Sequence, residues 1–130
     1  MMKKILLLLA LPLALAGCAS TITNLTPSRL TRSSDGTYRV EAAWRTTEQT
    51  IRPESIKPLV MVGRATYEMS PELVVSGRWE AFVPVPADQK TIRYRFKFNF
   101  LRSAFVAPVE DSALSEEFTL NIMDKPAEGK

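Results

Sequence analysis

Between residues 91 and 101 the chain sorts its side chains into two sets: Ile92, Tyr94, Phe96, Phe98 and Phe100 alternate with Arg93, Arg95, Lys97 and Asn99. An extended chain places successive side chains on opposite faces, whereas a helical period would scatter both sets around its axis. The segment is therefore a strand with one aromatic face. Rings of this size contribute most when fully removed from water, so that face requires a second apolar layer opposite it.

The same period recurs elsewhere. Residues 37–45 set Tyr38, Val40, Ala42 and Trp44 against Arg39, Glu41 and Arg45, after a turn at Ser33-Ser34-Asp35-Gly36. Residues 58–62 form a short apolar run, and Gly63-Arg64 turns it into 65–69. Residues 78–85 direct Trp79, Ala81, Val83 and Val85 inward, and Pro84 and Pro86 end or expose that strand because proline cannot donate to a ladder. Residues 117–122 direct Phe118, Leu120 and Ile122 inward and Glu117, Thr119 and Asn121 outward. About seven strands at spacings of roughly 8 to 12 residues predict an all-β fold, an antiparallel two-sheet sandwich. A small closed β-barrel is the alternative.

The N-terminal segment has a different character. Lys3-Lys4 precede an apolar run over residues 5–16, and the run ends in Leu15-Ala16-Gly17-Cys18. This resembles a bacterial lipoprotein signal: the lysines stay at the cytoplasmic surface, the apolar run enters the export machinery, and small residues admit a peptidase. The run is far shorter than the about 20 residues of a bilayer-spanning helix. Cys18 is the only cysteine, which suits a thiol destined for acylation. The resemblance implies cleavage before Cys18 and anchoring through acyl chains carried on it. Ala19 and Ser20 follow the cysteine in place of the aspartate that retains enterobacterial lipoproteins at the inner membrane, so the resemblance places the protein in the cell envelope, at the outer membrane. The expected organisation is a signal over 1–17, a lipidated tether over 18–27, a β-sandwich over 28–124 and a flexible tail over 125–130.

Loss of Lys3 and Lys4 lowers the formal charge from +3 to about +1, which removes the electrostatic basis for nucleic-acid binding. The chain has no histidine, so the commonest general base and metal ligand is missing and Ser-His or Cys-His nucleophile systems are excluded. The acidic neighbours Glu110-Asp111 and Glu116-Glu117 are expected in solvated loops, because charges stay exposed, and neighbours on a strand would point to opposite faces and share no calcium or glycosidase-like site. The five glycines are scattered and form no phosphate loop. No catalytic residue, metal or cofactor is expected, and the chain reads as non-enzymatic.

Over nearly all of the chain after Cys18 the pattern resembles an immunoglobulin-like or early-set sandwich, with Trp44 and Trp79 as candidate core tryptophans. A single cysteine rules out the antibody subtype, which bridges its sheets with a disulfide. A narrower resemblance lies in Arg78-Trp79-Glu80-Ala81-Phe82-Val83-Pro84-Val85-Pro86 followed by Tyr94-Arg95-Phe96-Lys97-Phe98, a succession similar to that of glycogen-binding early-set modules. It implies a glycan ligand as the alternative to a protein partner.

Two candidate interaction surfaces follow. The basic row Arg93, Arg95 and Lys97, extended by Arg102, can meet an anionic polymer, a phospholipid headgroup or an acidic protein. Glu117 on a neighbouring strand is expected to neutralise it by cross-strand pairing. Phe82 points away from its strand's core face and is expected to be covered by residues 103–109. The function expected is that of an envelope adaptor or accessory module, held to the membrane by Cys18 and bound to an envelope protein.

Overall fold

The aromatic strand is the axis of the structure. The computed structural model describes residues 20–124, and the predicted signal, Cys18 and the predicted tail lie outside the described residues. Ten strands form in the order β1 (Ser20–Asn24), β2 (Arg29–Thr31), β3 (Thr37–Thr46), β4 (Lys57–Val62), β5 (Ala65–Glu68), β6 (Ser70–Pro71), β7 (Arg78–Pro84), β8 (Thr91–Arg102), β9 (Val109–Leu114) and β10 (Phe118–Met123), with one 3-10 turn at Pro53–Ser55.

They make two sheets, β1-β3-β7-β6 and β2-β10-β8-β4-β5, with β9 also paired to β8. The sheets share no strand, so the fold is an all-β sandwich and the closed barrel is set aside. The order β1-β3-β7-β6 facing β10-β8-β4-β5 is the arrangement of immunoglobulin-like sandwiches. Ladders are antiparallel except β2 with β10, which run parallel.

β9 and β10 are one broken strand on the same flank of β8. Between the pairs Lys97↔Leu114 and Tyr94↔Phe118, β8 spends residues 95–96 while the opposing chain spends 115–117. That one-residue excess is a β-bulge. Ser115 closes it: its N–H donates to Phe96 O at 2.9 Å, and its Oγ accepts the Phe96 N–H at 2.8 Å.

The core lies between the sheets as the alternation requires. Tyr94, Phe96 and Phe98 are fully buried from one side, Val40 and Val83 from the other. Trp44 of β3 packs on Phe98 and Phe100 of β8 at centroid distances of 5.0 and 5.3 Å, and Trp79 meets Phe98 edge-on at 5.3 Å. Aromatic packing thus links the two strands that antibody domains join by a disulfide. Each buried ring contributes about 1.5–3 kcal/mol.

Two expectations change. The described part of the predicted tether is structured: β1 pairs with β3 from Ser20↔Thr46 to Asn24↔Ala42, so residues 20–24 belong to the sandwich. The chain then crosses to the other sheet at Pro27, after Thr26 Oγ1 has accepted the Glu41 N–H at 2.9 Å and Leu25 N–H has bonded Glu41 O at 2.9 Å. Glu110 and Asp111 are in strand β9 and not in a loop.

Candidate functional site

Arg93, Arg95 and Lys97 share the outward face of β8. Glu117, beside the bulge, reaches two of them: Oε1 lies 3.9 Å from Arg93 Nη1 and Oε2 lies 3.4 Å from Arg95 Nη2. Lys97 stands in register between Leu59 of β4 and Leu114 of β9. The row is therefore an alternation of paired guanidiniums and apolar neighbours. Arg102 does not extend it, because its Nη1 is held by Glu48 at 2.8 Å and its Nη2 by Asp111 at 2.9 Å. These bonds raise the Arg102 pKa, with Asp111 the larger contributor, and the Asp111 carboxyl is lowered by the Ser112 N–H first and by Arg102 second.

Phe82 is 59% exposed, contrary to the expectation that residues 103–109 cover it. Its strand belongs to the four-stranded sheet, whereas residues 103–108 join β8 to β9 at one end of the other sheet. Across from Phe82 stands Arg39. This guanidinium gathers three carboxylates: Glu80 at Nε, and Glu72 at 2.9 Å and Glu41 at 3.5 Å from Nη2. Burial pushes the Glu41 carboxyl up, and a hydrogen bond with the Glu72 carboxyl adds to the shift, with Arg39 and Arg78 opposing. The outward positions of Arg39, Glu41 and Glu80 are legible from alternation, but Glu72, in a connection, is not.

Glu72 also opens a connection that alternation does not single out. Residues 72–77 present Leu73, Val74 and Val75, and residues 103–108 present Phe105 and Val106, all as exposed side chains. The signal was there as consecutive apolar residues inside loops, which the rules of patterning treat as errors unless functional.

Several clefts border the sandwich among the described residues. One of about 770 Å³ lies where the chain passes from β5 to β6, with Trp79, Met69, Pro58 and Asn99 in its walls. Another of about 800 Å³ lies at the end of the sandwich beside Trp44, Arg45, Gly77 and Trp79. Trp44 Nε1 is buried with no hydrogen-bond partner among the described residues. No cluster of three or more carboxylate or thiol side chains is placed to hold a metal among the described residues.

No family model matches the chain, and no curated protein matches it. Among solved structures, murine CRIg is similar, with 12% sequence identity, a TM-score of 0.42, and coverage of 82% of this chain and 99% of that one.

Proposed function

We propose that this chain is a non-enzymatic, lipid-anchored adaptor of the cell envelope, at the outer membrane, that engages a protein partner through the flank of its six-stranded sheet. The observation that carries this reading is strand β9. Among the described residues it pairs with β8 alone, and Val109 and Leu114 are exposed along it. A strand with a free hydrogen-bonding edge is a template for an added strand. Asp111 accepts the Ser112 N–H at 2.8 Å and so blunts the middle of the edge, a device that discourages self-pairing. The exposed rings support a protein over a glycan: Phe82 lies on the four-stranded sheet and Phe105 in the β8–β9 connection of the other, so they form no common platform, and neither carries a polar group.

Two experiments test the reading. A photocrosslinking residue at Leu114 in the living cell is expected to trap one discrete envelope protein, and the same residue at Arg64 none. Equal labelling from both positions would overturn the adaptor role. Metabolic labelling with a fatty acid tests the anchor. Cys18→Ser is expected to abolish the label and leave the signal uncleaved, and an unlabelled wild-type product beginning at Ala19 or later would refute it.

A glycan remains the second reading, favoured by one observation: Trp79 lines the 770 Å³ cleft beside the polar side chains of Asn99 and Glu68. Oligosaccharide that quenches tryptophan emission in the wild type and not in Trp79→Phe would support it over the protein partner.

A further inference from the structure

One end of the sandwich carries two apolar tips, one from each sheet. In the four-stranded sheet the β6–β7 connection presents Leu73 and Val74. Its Gly77 O accepts the Trp44 N–H at 3.1 Å, level with Ile22 in the β1–β3 ladder. In the six-stranded sheet the β8–β9 connection presents Phe105 and Val106. There Ser103 N–H donates to Thr50 O at 2.7 Å, next to the bridge between Ile51 and Arg102. Leu73, Val74, Phe105 and Val106 are each at least 93% exposed. Single exposed apolar residues are ordinary. Paired residues at two tips of one end leave apolar area in water whose burial is worth about 25 cal/mol per Å².

The start of the domain selects what covers them. Ser20 pairs with Thr46 at this same end, and Cys18 precedes Ser20 by two residues. Consecutive Cα atoms are about 3.8 Å apart, so the Cys18 Cα is held within about 8 Å of the Ser20 Cα. Acyl chains on Cys18 therefore bring this end of the sandwich to the bilayer. The end is framed by cations suited to headgroup phosphates: Arg45 and Arg78 are exposed, and Arg52 donates through Nε to Ser103 Oγ at 3.1 Å beside the second tip. Of the acids at this end, Glu48 and Asp111 are paired with Arg102, and the exposed Glu54 and Glu110 offset part of the positive charge.

We propose that Leu73, Val74, Phe105 and Val106 insert into the phospholipid interface and hold the sandwich upright on it, with the β4–β5 turn at Gly63 and Arg64 facing away. The proposal rests on the acylation of Cys18. Insertion of apolar side chains about 5–10 Å into the headgroup and acyl boundary is sufficient for such docking. The acyl chains supply the anchor, and the tips supply the orientation.

The test uses the full lipidated chain reconstituted in protein-free vesicles of phosphatidylethanolamine and phosphatidylglycerol. An environment-sensitive fluorophore is placed at Val74→Cys, Val106→Cys or Arg64→Cys, the native thiol being consumed by acylation. Emission from the first two is expected to shift to the blue and to be quenched several-fold more by brominated lipid than emission from Arg64→Cys. Retained melting temperature verifies that each variant is folded. Three equally water-exposed probes on a chain whose Cys18 carries fatty acid would overturn the orientation and leave the anchor standing. Absence of fatty acid from Cys18 would overturn both. Shielding in native membranes but not in protein-free vesicles would assign the tips to a protein and overturn the lipid assignment.

Discussion

Asn24 Nδ2 donates to the Tyr94 hydroxyl at 2.8 Å, joining the last residue of β1 in one sheet to the central strand of the other. Asn24 Oδ1 also accepts the Thr26 N–H at 3.1 Å, so this side chain fixes the point where the chain begins to cross between sheets. Tyr94 is buried, and loss of its hydroxyl leaves the amide without that acceptor. Tyr94→Phe is expected to cost about 1 kcal/mol, the net worth of a typical hydrogen bond. Denaturant melts of the two proteins measure it, and equal midpoints would show that β1 is held by its ladder alone.

Neighbouring residues on β8 should differ sharply in their worth. Phe96 is completely buried, and Phe96→Ala is expected to cost about 3–5 kcal/mol, the range for deleting a core phenylalanine. Arg95 forms an ion pair with the partly exposed Glu117 at 3.4 Å, an exposed pair of little net worth, so Arg95→Ala should cost under about 0.5 kcal/mol. Melts ranking the two in the opposite order would show the inward and outward faces of β8 to be exchanged.

Strands β3, β7, β8 and β10 were legible because each lays apolar side chains against the core at period two, β4 because it is a short apolar run, and β5 because the Gly63-Arg64 turn leads into it. β1 offers only Ile22 amid Ser20, Thr21, Thr23 and Asn24, so its composition matches a tether, and its structure comes from the ladder it adds to β3. β9 shows no period because nearly all of its residues face water: Ala113 is the side chain it packs against the core, too little to impose alternation. β2 and β6 have three and two residues, too few to show a period. Among the candidate site residues, the faces of Arg93, Arg95 and Lys97 follow from alternation. The exposure of Phe82 does not, since it depends on which sheet the 103–108 connection joins, a matter of topology that no local pattern encodes.

Charge reversal of the basic row tests its pairing. Glu117 lies within 3.9 Å of Arg93 and 3.4 Å of Arg95. The triple variant Arg93→Glu, Arg95→Glu, Lys97→Glu replaces attraction with repulsion at the bulge, because like charges facing one another across strands destabilise a sheet. The melting temperature is expected to fall by about 4 °C or more, corresponding to roughly 1 kcal/mol in a domain of this size, and Glu117→Gln should restore part of the loss. Partner capture through β9 should persist in the folded fraction. Unchanged melting with abolished capture would instead make the row the binding surface.

Glu41 gives the pH dependence its sign. Its pKa is raised in the fold from the ordinary 4.5, first by burial and then by the Glu72 carboxyl. The native state thus holds this proton more tightly than the unfolded chain does, and stability falls as pH rises from about 4.5 through the raised native value. Asp35, Asp111 and Asp124 act in the opposite sense, since hydrogen bonds to Ser33, Ser112 and Arg32 respectively lead their lowered values, and their contribution is lost as pH falls below the ordinary 3.8 toward those values. Glu41→Gln removes one titration and keeps the others. Its stability relative to wild type is therefore expected to be lowest near pH 4 and to rise toward pH 7, because the amide removes carboxylate repulsion from Glu72 while Arg39 retains Glu72 and Glu80. Denaturant melts of both proteins across that range provide the measurement. A difference that stays flat, or that moves against the variant as pH rises, would show that Arg39 outweighs burial and Glu72 at this carboxylate.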